Sequence, residues 1–204
     1  MFTNTRELLD FITTNSHAEG RSYEFKRGLP WDGDFRFRIV KGILALSNVP
    51  DGGYLIIGVE KNNSTNIYEP NGMSESVART YDNDHVSQFT SNYADPSVMM
   101  TLKIFEESEK RFVVIEVSEF SEIPVICKNN GGEALKAGEI YTRTNRMPES
   151  ARCTAVELRE ILELATDKGI RRQRERLGRA GIVIPIASVI PEDETLFNNE
   201  RGVF

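Results

Sequence analysis

The chain has 204 residues, a length typical of one domain with an appendage or of two very small domains. Hydrophobic residues make up 39% of it, which is enough for a sizeable core and excludes wholesale disorder. The 25 Lys and Arg residues against 31 Asp and Glu residues give a net charge of −6. This balance excludes a uniformly basic nucleic-acid-binding surface, so any such site has to be a local patch.

Two further classes of protein are excluded by the sequence. No apolar run approaches the roughly 18 residues that a membrane-spanning helix needs, and the chain start lacks the apolar region of a signal peptide. Two cysteines, Cys127 and Cys153, are too few for a disulfide framework or a four-cysteine zinc site, and two histidines, His17 and His85, exclude a zinc site built mainly on histidine. We therefore predict a cytoplasmic protein without a membrane partner, with buried cysteines and surface or packing histidines.

Helix and strand patterns alternate in the first part of the chain. Asn4 and Glu7 have the spacing of a capping box before an apolar stripe, which predicts a short first helix. Residues 22–26 alternate apolar and charged side chains, as in a half-buried strand. Apolar residues recur at helical spacing over 35–48, and 54–59 is a short apolar run flanked by glycines, which is typical of a buried central strand.

The middle of the chain has weaker patterns. The asparagine-rich stretch 61–73 is predicted to be a loop, and 84–93 a helix. Residues 98–105 and 112–117 have the composition of paired strands around a charged turn.

The last part of the chain returns to clear patterns. Short strands are expected at 124–127 and 139–143, and the capping box of Thr154 and Glu157 predicts a helix that continues into an arginine-rich segment. This mixture of elements indicates an α+β fold. We expect a folded domain over 1–168, followed by a basic helix end and tail over 169–204.

Glu19 and the segment Glu24-Phe25-Lys26 carry the clearest chemistry in the sequence. On a strand, Glu24 and Lys26 point to the same side. Two carboxylates beside an ammonium suit a metal-dependent nuclease, in which acids hold Mg²⁺ or Mn²⁺ and the lysine offsets charge developing on the phosphate. Glu60, directly after the buried strand, is the best third carboxylate. An exposed ion pair of little energetic value gives the same spacing, and spacing alone favours that alternative.

Basic residues cluster locally despite the acidic average. One cluster lies between residues 20 and 48, one between 168 and 179, and a small one lies beside Tyr141. Such clusters can bind phosphates. For the second cluster, a solvated helix end is an equally good explanation, because arginines suit the negative pole of a helix. The residues that we predict to contact nucleic acid are Arg21, Arg27, Arg36, Arg38, Lys41, Arg143 and Arg146.

The order of these motifs resembles the AlbA-like, Schlafen-type family. Its pattern is an E-x-x-x-x-E-F-K strand, a helix that ends in a small-apolar-Asn stretch, and G-G-x-L-x-I-G-V. The chain matches it with Glu19 and 24–26, then with 43–48, then with 52–59. Tyr141-Thr142-Arg143 is similar to the family's later Y-x-R signature.

This resemblance implies a single lobe with a mixed β-sheet and flanking helices, and binding of RNA or DNA. In Schlafen proteins it further implies metal-dependent cleavage of tRNA or other structured RNA. The family places an acid two residues after the valine, where this chain has Lys61, whereas Glu60 comes one residue earlier. The predicted catalytic residues are Glu19, Glu24, Lys26 and Glu60, of which Glu19, Glu24 and Glu60 are the predicted ligands of Mg²⁺ or Mn²⁺.

Two functions follow from the sequence. The first is a divalent-metal-dependent endoribonuclease, and the alternative is a non-catalytic DNA-binding module of the transcription-regulator type. A homodimer is also expected, because Schlafen-type cores resemble two related lobes and this length corresponds to one. The apolar tail segments 182–186 and 189–190 favour a partner surface, although the tail folding back on its own domain is an alternative.

Overall fold

The computed structural model of the chain describes residues 2–144 and 149–182. The described residues contain five helices and ten strands. In chain order they are α1 (Thr5–Thr14), β1 (Tyr23–Lys26), α2 (Gly33–Ser47), β2 (Gly53–Ile57), β3 (Glu60–Asn62), β4 (Ile67–Glu69), α3 (Glu75–Ala78), α4 (Asn83–Ser91), β5 (Ala94–Asp95), β6 (Met100–Glu107), β7 (Lys110–Val117), β8 (Ile126–Cys127), β9 (Tyr141–Thr142), β10 (Ala151–Arg152) and α5 (Ala155–Arg179).

A four-stranded mixed sheet in the order β1-β2-β7-β6 forms the centre of the fold. Strand β1 runs parallel to β2, with Tyr23 opposite Tyr54, whereas β2–β7 and β7–β6 are antiparallel pairs. The sheet therefore has β1 and β6 as its two edges. The predicted α+β fold with a mixed sheet and flanking helices is confirmed.

The two faces of the sheet are covered by different helices, because successive side chains of a strand point to opposite faces. Leu55 and Ile57 of β2 lie in one hydrophobic cluster with the apolar residues of α2 and Val86 of α4. Ile56 lies in a second cluster with Leu8 and Ile12 of α1. Strand β2 is thus buried on both faces, as its continuous apolar run predicts.

Several local predictions are confirmed by the caps and pairs. The Asn4 side chain accepts a hydrogen bond from Glu7 N at 3.0 Å and begins α1. Helix α2 ends at Ser47 before Asn48, and β6 and β7 form the expected hairpin. At the start of α5, Thr154 N donates to Glu157 Oε2 at 2.7 Å.

The prediction of a loop over 61–73 is wrong, since this stretch contains most of the short hairpin β3–β4. Its asparagines form the turn: the side-chain oxygen Oδ1 of Asn62 accepts a hydrogen bond from Ser64 N at 2.9 Å, and Asn66 adopts a φ of 59°. Asparagine tolerates the left-handed region, so a run of asparagines also suits a tight turn between strands. The helix α3 was not predicted from the sequence.

The short strands β8 and β9 are held by a buried side chain. Strand β8 pairs with β5, and β9 pairs with β10. The Asn48 amide donates to Val125 O at 2.8 Å and to Tyr141 O at 3.0 Å, and its oxygen accepts from Val125 N at 2.8 Å. The end of α2 therefore fixes the segments that carry β8 and β9.

The chain divides into two units, residues 1–168 and 169–204. All the residues of the site described below lie in the first unit. No helix among the described residues is long and apolar enough to cross a membrane.

Candidate nucleic-acid interface

A cleft lies beside the edge strand β1 and consists of two adjoining halves. Both halves are lined by Phe25, Lys26, Arg38 and Tyr68. The half that we call acidic has a volume of about 450 Å³ and is also lined by Glu19, Glu24, Lys41, Glu133, Ala134, Glu149 and Ser150. The half that we call basic has a volume of about 370 Å³ and is also lined by Arg27, Phe35, Val59, Glu60, Lys61 and Asn63.

Glu24 lies at the bottom of the acidic half and is only 3% exposed. It can be buried there because α2 packs closely over β1 at Gly42: a Cβ atom on this glycine would lie 2.9 Å from Glu24 Oε2 and 2.4 Å from Leu55 Cδ1. The Lys26 ammonium donates to Glu24 Oε1. The Ser150 hydroxyl donates to Oε2 at 2.6 Å.

Arg143, which is fully buried, joins the two carboxylates of the site. Its guanidinium lies 2.6 Å from Glu24 Oε2 and 3.4 Å from Glu19 Oε2. It also donates to the main-chain oxygens of Tyr23 at 2.9 Å and Gly20 at 3.2 Å. A buried arginine of this kind needs opposite charges and acceptors around it, and here the two glutamates and two carbonyls supply them.

Glu19 and Arg143 together cap the open edge of β1. Phe25 N donates to Glu19 Oε1 at 2.7 Å, and Tyr23 O accepts from Arg143. These main-chain groups point away from β2, to the side on which a further strand would otherwise form hydrogen bonds with them. The ion pair therefore takes the place of a fifth strand at this edge of the sheet.

The two carboxyl groups have pKa values shifted in opposite directions. Burial raises the pKa of Glu19, and the negative charge of Glu24 raises it further. Burial also acts to raise the pKa of Glu24, but the charges of Lys26 and Arg143 outweigh it, so this pKa lies below its ordinary value. Glu24 is therefore the ionised member of the pair over the wider pH range.

The predicted metal site is not formed by the described residues. All four carboxylate oxygens of Glu19 and Glu24 already accept a contact from Lys26, Ser150, Phe25 N or Arg143. No group of three or more His, Cys, Asp or Glu side chains within 2–144 and 149–182 is arranged to hold a metal ion. A divalent cation needs several free oxygen ligands, so this donor set does not fit one.

Glu60 does not join the other two predicted ligands. It lies in the basic half of the cleft, on β3, and its carboxylate is 3.9 Å from the Arg27 guanidinium. The sequence suggested that Glu60 would converge with Glu19 and Glu24, and this expectation has to be corrected. Glu60 is the first residue of the hairpin β3–β4, where it is paired with Glu69.

The predicted phosphate-binding residues lie in different environments. Arg38 and Lys41 line the cleft, and Arg27 lines its basic half. Arg21 lies 3.6 Å from Glu160, and Arg36 packs over the Phe89 ring at 4.7 Å, so both make structural contacts.

Arg143 has to be corrected as a phosphate ligand, because it is fully buried and bound to carboxylates. Arg146 lies outside the described residues.

The cleft residues that were missed in the sequence include one cation and two aromatic residues. Lys61 and Tyr68 face each other across the hairpin, with the ammonium 5.5 Å from the ring centroid, and Phe35 lies in the first turn of α2. Burial, followed by the negative charge of Glu19, raises the pKa of Tyr68 to about 12, so its hydroxyl is a donor at neutral pH. An aromatic residue among basic ones is the sequence pattern that could have indicated these residues. It was not recognised because 61–73 was assigned to a loop.

The fold and this cleft define an α+β domain whose mixed sheet carries a charged cleft against one edge strand. The family model described as Schlafen, AlbA_2 matches residues 19–152, about two thirds of the chain. The chain therefore belongs to this family, and the resemblance seen in the motifs is confirmed. Membership supports a nucleic-acid-related function.

Two solved structures are similar to the chain at low identity. One is the crystal structure of the DIP2311 protein from Corynebacterium diphtheriae, with 18% identity, a TM-score of 0.46 and coverage of 76% of this chain. The chain spans 28% of the length of that protein. The other is the NMR structure of the N-terminal domain of a RecG-related protein from Nitrosomonas europaea, with 23% identity, a TM-score of 0.45 and coverage of 67% and 89% of the two chains. No curated protein matches the sequence.

Proposed function

We propose that this chain is a nucleic-acid-binding module that binds phosphates in the cleft beside β1 without a metal ion. One observation carries the proposal: in a chain of net charge −6, the basic half of the cleft is lined by four cationic side chains and a single carboxylate, that of Glu60. The four are Lys26, Arg27, Arg38 and Lys61, and Lys41 lines the acidic half. Concentrated positive charge on an acidic protein is the electrostatic footprint of a local phosphate-binding site.

The state of the carboxylates supports binding rather than metal-assisted cleavage. Glu19 and Glu24 are held by Arg143 and Lys26 and so do not repel a phosphate as two free charges would. The same contacts leave no set of free oxygens for Mg²⁺ or Mn²⁺. Cleavage of tRNA or other structured RNA stays a prediction of the family resemblance, and no step of it is derived from this site.

Removal of two exposed cations of the cleft tests the proposal. The double variant Arg38→Gln/Lys61→Gln should bind a labelled oligonucleotide more weakly than the parent, as measured by fluorescence anisotropy. Each lost phosphate contact should also lower the slope of log K against log salt by about 0.7 to 0.9. The control is Lys103→Gln/Lys128→Gln, which removes two exposed lysines that line neither half of the cleft.

Two results would overturn the proposal. One is equal loss of affinity in the cleft variant and in the control, which would assign binding to the overall charge. The other is an affinity of the parent that does not change with salt.

The homodimer is a separate proposal. Its support is the resemblance to two-lobed Schlafen-type cores, of which this length corresponds to one lobe, together with the apolar segments 182–186 and 189–190, of which only Ile182 lies within the described residues. Light scattering at micromolar concentration decides it: we expect twice the mass of one chain, and the mass of a single chain with intact binding would contradict it.

A further inference from the structure

The two halves of the cleft differ in charge. In the basic half, Lys26, Arg27, Arg38 and Lys61 face the single carboxylate Glu60. In the acidic half the described lining includes four carboxylates, those of Glu19, Glu24, Glu133 and Glu149. A phosphate is therefore attracted mainly to the basic half and to the cations that both halves share.

Aromatic rings lie among these cations. The half-buried ring of Tyr68 lines both halves, and the half-buried ring of Phe35 lines the basic half. Tyr68 is supported from below by the buried Phe25, whose ring centroid is 5.1 Å away. Rings that are held in place by a hydrophobic core and flanked by Lys and Arg are the usual platform on which an unpaired base stacks.

The form of the ligand follows from this combination. A duplex presents its phosphates but keeps the faces of its bases inside the stack, so Phe35 and Tyr68 have nothing to stack against. An unpaired segment presents phosphates and base faces together. Each half of the cleft also has a volume in the range of pockets that enclose small organic ligands, which suits a nucleotide unit.

We infer that the cleft binds an unpaired segment of nucleic acid, with phosphates against Arg27, Arg38 and Lys61 and a base stacked on Tyr68 or Phe35. This inference rests on the proposed function and specifies its ligand. The 2′-hydroxyl plays no part in it, so single-stranded RNA and single-stranded DNA share the required chemistry.

Binding of matched oligonucleotides in EDTA is the first part of the test. A labelled single-stranded RNA, the same sequence as single-stranded DNA, and the duplex are titrated with the full chain by anisotropy. We expect one or both single strands to bind at least tenfold more tightly than the duplex. Equal or tighter binding of the duplex would overturn the inference and leave the proposed function standing, whereas absence of binding by all three would overturn both.

Substitution of the ring is the second part. Tyr68→Leu should weaken single-strand binding about tenfold, within the range reported for loss of one base–aromatic stack, while Tyr68→Phe should keep the parent affinity. Because Tyr68 packs against the core, circular dichroism is used to check that its variants keep the fold of the parent. Lys61→Gln is a second variant, which changes the exposed surface and leaves the core intact. Lys61→Gln should weaken single-strand binding more than Lys103→Gln does. Parent-like affinity in both Tyr68→Leu and Lys61→Gln would overturn the inference.

Discussion

Arg143 offers the sharpest test of how the site is built. The variant Arg143→Met removes the guanidinium that contacts both Glu19 and Glu24, and it leaves the edge carbonyl of Tyr23 without its donor. Loss of one partner from a buried ion pair typically costs about 3–5 kcal/mol in the free energy of unfolding. Because Lys26 still compensates Glu24, we expect a loss near the lower end, about 3 kcal/mol.

Urea unfolding at neutral pH measures this loss, with a matched arginine as the control. Arg152 is half-exposed and lies 3.2 Å from Glu139, so Arg152→Met also breaks one ion pair. An exposed pair contributes about 0–1 kcal/mol, and the control should lose no more than that. The triple variant Arg143→Met/Glu19→Gln/Glu24→Gln removes the uncompensated charges and should lose less than Arg143→Met alone. A loss below about 1 kcal/mol for Arg143→Met would refute the reasoning.

Three further predictions concern the same residues. Because the pKa of Glu19 is raised, its contribution to stability is present at acid pH and is lost as the pH rises through its folded-state pKa. In urea titrations, Glu19→Gln should therefore gain stability relative to the parent as the pH rises from acid to neutral. The lowered pKa of Glu24 has the opposite consequence: its contribution to stability is present above the ordinary pKa and is lost as the pH falls through the folded-state pKa. The stability advantage of the parent over Glu24→Gln should therefore shrink on acidification, and an advantage that grows would contradict the prediction. Gly42→Ala should destabilise the fold by about 1–3 kcal/mol, because its Cβ would press against Leu55 and Glu24, and an unchanged melting temperature would show that α2 has room to move.

Local patterns predicted most of the sheet and its helices. The cap at Asn4 and the apolar run of β2 depend on neighbouring residues only, and both have the expected structure. The hairpin β3–β4 was missed because its asparagines suit a loop and a tight turn equally well. The arrangement of the site depends on contacts that no local pattern contains: Glu24 and Arg143 are more than a hundred residues apart in sequence.

The position of Arg143 shows why the contacts of a candidate residue could not be predicted from the sequence. Its place beside Tyr141 in a basic cluster suggests a phosphate ligand. The pairing of β9 with β10 and the hydrogen bond from Asn48 to Tyr141 O instead place its guanidinium against the carboxylates of the site. Glu19 and Glu24 then become structural partners of an arginine instead of free ligands. Burial of a charge depends on the tertiary fold, so the sequence gives the residue types and the structure decides between the roles.

Binding of single-stranded RNA in EDTA and in Mn²⁺, with the products examined on a denaturing gel, tests the central claim most directly. The claim is that Arg143 and Lys26 occupy the carboxylates of the cleft and that the cations around it bind nucleic acid without a metal. We predict the same affinity in both buffers and RNA that stays intact. Binding that requires Mn²⁺, with cleavage that disappears in Glu24→Gln, would contradict the account.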